Sequence, residues 1–121
     1  MFKEVLYNAM NNVEGCQGVL IMGMDGIAVD RVWQPEADAA NLDIAIAEFT
    51  SLMRSAKRTN GDLGLGKLLE MTVSAENGIF VLHSVGEDYF LAMVVKPEGN
   101  FGRGRYELRR AELLLRNELV I

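Results

Sequence analysis

Apolar residues recur at helical spacing through the middle of the chain, over residues 38–60. Leu42, Ala45, Ile46, Phe49, Leu52, Met53 and Ala56 fall on one stripe, which predicts a long helix covering a core. Ala40, Ile44, Ala47, Ser51 and Ser55 form a second stripe opposite the first. It is small and uncharged where a solvated helix face carries Lys and Glu. Small side chains let another helix approach closely. With the first stripe committed to the core, the second is expected to meet a partner. Glu48, Arg54 and Arg58 flank that seam and would set register or partner choice. The alternative is a helix sunk deeper among the elements of its own chain.

The remaining pattern supplies the other elements. Phe2, Val5, Leu6, Ala9 and Val13 predict a helix over 2–13, stopped by Glu14-Gly15. Residues 19–22 are continuously apolar, and Met24-Asp25-Gly26 turns them into a second strand, 27–33. Asp38 is a candidate N-cap for the central helix. After Asn60-Gly61 come three strands, 68–75, 79–85 and 89–95, joined by Asn77-Gly78 and by Gly86-Glu87-Asp88. A final helix is expected over 103–119, with Leu108, Ala111, Leu115 and Leu119 as its core stripe.

Strand polarity then predicts the layers. Segments 19–22, 79–82 and 90–95 are apolar on both faces and belong at the centre of a covered sheet. Short turns make that sheet largely antiparallel. The fold class is α/β of the α+β type, in the order α-β-β-α-β-β-β-α. Five antiparallel strands lie between helices as a three-layer α/β/α sandwich. Residues 68–75 differ, because Leu69, Met71 and Val73 alternate with Glu70, Thr72 and Ser74, which suits an edge strand. An open edge invites pairing. Joining two such edges in a dimer would bring two copies of the central helix side by side.

Composition narrows the functions open to such a fold. The 121 residues suit one domain, 1–121, with half of them hydrophobic and a quarter charged. A net charge of −5 argues against a nucleic-acid footprint. With one Cys and one His, neither an internal disulfide nor a zinc site of ordinary make-up is available. The opening MFKEVLYNAM carries Lys3 and Glu4 and lacks the apolar stretch of a secretory signal. No apolar run approaches the roughly 20 residues of a membrane span. A cytoplasmic protein without cofactor, metal or membrane insertion is expected.

Candidate chemistry is sparse. Residues 61–67, GDLGLGK, match the start of a phosphate-binding loop, but Leu68 stands at the Ser/Thr position and the context is helix-to-strand. A glycine-rich helix end is the better reading. Arg103, Arg105, Arg109 and Arg110 crowd the start of the last helix, against its macrodipole, with Glu98 and Glu107 near enough to compensate. Arg103 and Arg105 are a candidate docking patch for an acidic partner, the alternative being a solvated face with local ion pairs. His83 has no nucleophile or orienting acid near it in sequence, so a structural or partner-facing role is expected. Cys16 reads as an inert thiol at a strand start. Trp33 and Phe101 either anchor a partner or cover the core beneath loops. No set of acid, base, nucleophile or metal ligands marks an enzyme.

The hairpin GVLIMGMDGIAVD, the strand YFLAMVVKP and the passage GNFGRGRYELRRAELLL carry a resemblance that spans nearly the whole chain. Most telling is Asn100-x-Gly102-x-x-Arg105 at the start of the last helix. The chain resembles the Roadblock/dynein light-chain family, in its bacterial Mgl-type branch. The resemblance implies a five-stranded antiparallel sheet with the middle helix on one face and the terminal helices on the other. It also implies homodimers, through edge pairing of the third strand and packing of the middle helices. Ala40, Ile44, Ala47, Glu48, Ser51, Ser55, Arg58, Glu70, Thr72 and Ser74 would form that dimer or partner interface. Members regulate or tether Ras-like small GTPases, some as GTPase activators that donate no catalytic residue. GTPase-activating members carry bulky apolar residues where Arg103 and Gly104 stand, so the wording here looks more like an adaptor that partners another Roadblock-family protein. The expected function is therefore a non-catalytic dimeric regulator or scaffold of a small-GTPase module. A small-molecule sensor domain of the PAS or GAF type is the alternative, and would need a ligand cavity lined by converging polar groups.

Overall fold

The computed structural model describes residues 2–116 and 118–119. Helix α1 (Phe2–Asn11) leads into strands β1 (Cys16–Gly23) and β2 (Ala28–Trp33), followed by helix α2 (Ala39–Asp62). Strands β3 (Glu70–Ala75), β4 (Gly78–Val85) and β5 (Tyr89–Val95) precede helix α3 (Phe101–Leu115). The order is the one the hydrophobic pattern predicts. Position 117, within the expected last helix, lies outside the described residues, and α3 starts two residues earlier than expected. Asn100 explains that start, since its Oδ1 accepts from the Arg103 N–H at 3.0 Å.

All five strands join one antiparallel sheet in the order β2-β1-β5-β4-β3. The three strands read as apolar on both faces, β1, β5 and β4, are the inner ones. On one face, Val19, Ile21, Val81, Leu91 and Met93 pack with Leu6 and Met10 of α1 and Leu108 and Leu115 of α3. On the other, Leu20, Met22, Leu82, Phe90 and Ala92 pack with Ile46 and Met53 of α2. Phe49 meets Phe80 edge-on, with ring centroids 4.9 Å apart. The middle helix thus covers one face and the terminal helices the other.

Local chemistry accounts for the connections. Between β1 and β2, Gly26 takes φ +86° and the Asp25 carboxylate accepts from the Ile27 N–H. The β3–β4 turn is centred on Glu76-Asn77, one residue earlier than expected, because Gly78 already pairs with Ala75. Asp38 precedes α2, but its carboxylate bonds the side chain of Asn41 and caps no backbone N–H. The GDLGLGK segment runs from helix to strand as expected, with Gly64 and Gly66 both at positive φ.

One position on the core stripe of α2 needs correcting. Leu52 is 52% exposed, and Thr50 is fully buried instead. At about 100° per residue, Leu52 lies about 120° round the helix from Ile46, whereas Thr50 lies about 40° away. Burial of Thr50 is tolerated because its hydroxyl donates to the Ile46 carbonyl at 3.1 Å.

Two connections cross where α1 enters β1 and β5 leaves for α3. The Lys96 N–H donates to the Gly15 carbonyl, and the Asn100 N–H to the Glu14 carbonyl, both at 2.9 Å. Gly15 and Gly99 face each other there so closely that a Cβ on Gly99 would lie 2.6 Å from the Glu14 carbonyl oxygen.

Candidate functional site

The outer face of α2 carries small and apolar residues, and most of it lies open among the described residues. Ile44 is 61% exposed, and Ala40, Ser51 and Ser55 are exposed beside it, while Ala47 is half-buried. Leu52, taken from the sequence as core, joins this face. Ile44, Glu48 and Leu52 follow at i, i+4 and i+8 and form one ridge. Leu63, Leu65 and Leu69, on the segment that leaves α2, are also exposed and extend the apolar surface along the chain.

The charged residues around this face divide into two groups. Arg54 is committed to its own chain, donating to the Met24 carbonyl at 2.6 Å and to Ser51 Oγ. Lys57 ties α2 to the β4–β5 turn through the Glu87 carbonyl. Burial lowers the Lys57 pKa, with Glu87 and Asp88 acting in the opposite direction. Glu48 and Arg58 are exposed and make no ion pair among the described residues. They remain free to meet a second molecule.

Strand β3 lies at the sheet edge and, among the described residues, pairs with β4 alone. Its Met71 and Val73 face the α2 layer. Glu70, Thr72 and Ser74 alternate onto the α3 side. Glu70 is already engaged there, because Arg105 Nε donates to it at 2.6 Å. What β3 offers outward is therefore its backbone, a row of N–H and C=O groups without a strand partner.

Arg103 and Arg105, joined in the sequence reading as one docking patch, point to different neighbours. Arg103 grips Glu107 through Nε at 2.9 Å and Nη2 at 2.8 Å. Glu107 is 3% exposed and also receives Asn12 of α1 and Arg110, which compensates the cations at this helix start. Arg105 reaches the sheet edge instead, where Arg109 and Arg116 line the same cleft.

His83, buried on β4, marks a polar cluster that sequence reading missed. Its Nε2 lies 2.7 Å from Glu112 Oε1, and its Nδ1 lies 3.9 Å from Glu70 Oε1. Burial pulls the Glu112 pKa upward, but hydrogen bonds and charge from His83 and Arg116 outweigh it, leaving the carboxyl below its usual range. A depressed folded-state pKa contributes stability above the ordinary carboxylate pKa, lost as pH falls through the folded value. The expected outcome is a fall in urea midpoint below about pH 4, with a smaller fall in Glu112→Gln. Equal acid sensitivity in the two proteins would refute this contribution.

Cys16 is buried, and burial pushes its pKa up to about 12 despite a weak contact with the Gly18 carbonyl, so the thiol is unreactive at neutral pH. Trp33 packs on the α2-side core, with its ring over Gly18, and covers core as one of its two readings expected. Phe101 is 41% exposed at the start of α3.

Comparison with known proteins follows this geometry. The Roadblock/LC7 domain family matches residues 2–95, from α1 through β5. Two uncharacterized proteins of Methanocaldococcus jannaschii are each 26% identical over 102 residues, covering 84% of this chain and 86% of theirs. The crystal structure of MglC from Myxococcus xanthus is 34% identical, covers 97% of this chain and 98% of its own, and superposes with a TM-score of 0.74. A structure of MglB with tetrameric arrangement shares the fold at 19% identity and a TM-score of 0.84, covering 96% of this chain and 85% of its own. The chain belongs to the Roadblock/LC7 domain family, and solved Mgl-type proteins are among its structural neighbours.

Proposed function

We propose that this protein is a non-catalytic, dimeric regulator or scaffold in a Ras-like small-GTPase module. One observation carries the reading: an α2 face bearing Ile44 and Leu52 lies open in the same protomer as the unpaired edge β3. Membership of the Roadblock/LC7 domain family supports it, as does the likeness to MglC. Two copies would pair β3 edges through backbone hydrogen bonds and set their α2 helices side by side. Ala40, Ala47, Ser51 and Ser55 permit close approach of the helices, and Glu48 and Arg58 would fix register. The paired helices then present a platform that biases a GTPase's switch regions or holds a second Roadblock-family protein.

Between activator and adaptor, the α3 start favours the adaptor. Arg103 is spent on the buried Glu107, and Gly104 is itself buried against Met93, so neither is available to a partner as a large apolar contact. Tagged protein recovered from its native host is expected to bring down a Ras-like GTPase or a second Roadblock-family protein, and Ile44→Glu to bring down neither. With the recovered GTPase, an adaptor leaves GTP turnover unchanged, whereas an activator raises it. Recovery of neither class by the unmodified protein would overturn the reading.

A further inference from the structure

A second candidate site lies away from the α2 face, between α3 and the β3–β4 edge. The cleft there has a volume of about 570 Å³, within the range of small-molecule sites. Lys67, Arg105, Arg109 and Arg116 line it, a third of the twelve Lys and Arg in a chain whose net charge is −5. Only two carboxylates line it with them, and both are already paired. Glu70 receives Arg105 through Nε, and Glu112 receives Arg116 and His83. Arg109 and Lys67 make no ion pair among the described residues, and the terminal amino groups of Arg105 make no hydrogen bond there. Positive charge is therefore left over, and it converges on one cavity.

His83 supplies an independent sign of a missing ligand. The residue is 7% exposed, lines this cleft, and its Nδ1 is buried without a hydrogen-bond partner among the described residues. Glu112 Oε1 only accepts when ionised, so Nε2 must carry the proton across their 2.7 Å contact. In the neutral ring, Nδ1 is then an acceptor, and Glu70 Oε1 at 3.9 Å also accepts. In the charged ring, Nδ1 is a donor and that same oxygen is out of reach. Neither state is satisfied among the described residues. An oxyanion seated on the arginines would give the charged ring its acceptor.

We propose that this cleft binds a phosphate-class oxyanion, held by Arg109, Lys67 and the free amino groups of Arg105, with one oxygen accepting from His83 Nδ1. Guanidinium forks match the several oxygens of a tetrahedral dianion better than a lone ammonium does. Three of the site's residues come from α3 and a fourth, Arg116, directly follows it, all beyond the residues 2–95 that match the family. No residue of α2 lines the site, although Glu70 belongs to the β3 edge of the proposed dimer.

Calorimetric titration with inorganic sulfate and phosphate, at constant ionic strength, tests it. The charged groups around the His83 ring are Glu70 from β3, Lys67 before it, Arg105, Arg109 and Glu112 from α3, and Arg116 just after α3. Arg109→Gln, which removes no hydrogen bond or ion pair among the described residues, should weaken binding by about tenfold. Arg103→Gln, engaged elsewhere with Glu107, should leave binding unchanged. Sulfate should shift the ring-nitrogen resonances of His83 in the unmodified protein. A nucleoside monophosphate that binds more tightly than phosphate assigns the site to a phosphate group on a larger molecule, and equal affinity assigns it to the free ion. Absence of saturable binding, or binding unaffected by Arg109→Gln, would overturn the proposal.

Discussion

Ile44→Glu is expected to abolish self-association while leaving the protomer folded. Ile44 is 61% exposed within its own chain, so the substitution buries nothing in an isolated protomer, and its circular dichroism and urea midpoint should hold. In the proposed dimer the same side chain sits at the seam of two α2 helices. An uncompensated buried charge costs about 3–5 kcal/mol, and two-fold symmetry applies it twice. Together these raise the dimer dissociation constant by about four orders of magnitude or more. Ser51→Arg on the same face should act in the same direction by bulk and charge. Light scattering reads both variants, and an unchanged dimer in both would remove α2 from the interface.

Gly99→Ala should damage the protomer out of proportion to the single methyl group it adds. The added Cβ would meet the Glu14 carbonyl oxygen and Val95 Cγ1 at 2.6 Å, and the Gly15 Cα at 3.0 Å. Two of those three atoms are backbone and cannot rotate away. Relief requires the β1 entrance and the β5 exit to separate, which strains the Asn100–Glu14 and Lys96–Gly15 hydrogen bonds. A loss of about 2–4 kcal/mol is expected from urea denaturation. Gly102→Ala, in the same segment, is the contrast. A Cβ there meets nothing closer than Asn100 Oδ1 at 3.6 Å, and the helical position favours alanine by about 0.5–1 kcal/mol. If the two variants lose equal stability, the crossing is not the tight point described.

Much of the architecture was legible because the three inner strands are apolar on both faces. Residues 19–22, 79–82 and 90–95 could only be central, and short turns then dictated antiparallel neighbours. The alternation in 68–75 placed that strand at the edge for the same reason. Leu52 was misplaced because i+3 spacing from Phe49 looks like continuation of a stripe, yet each such step drifts about 60° round the helix. The His83 cluster was harder to see, since Glu70, His83 and Glu112 belong to three elements that only the fold brings together. One signal was present. Glu112 lies at i+4 from Leu108, close to the core stripe of α3, where a carboxylate needs a partner. Arg103 and Arg105 read as one patch because adjacency in sequence hides the wide angle between residues two apart on a helix.

The α2 face is the hinge of the functional account, since dimer, platform and partner binding all require that it be covered by another polypeptide. Sedimentation equilibrium of the unmodified protein at micromolar concentration measures this most directly. The account predicts a species of twice the 13.4 kDa chain mass that reverts to a single chain in Ile44→Glu. A lone 13.4 kDa protomer across the whole concentration range, its Ile44 and Leu52 left in water, would contradict it.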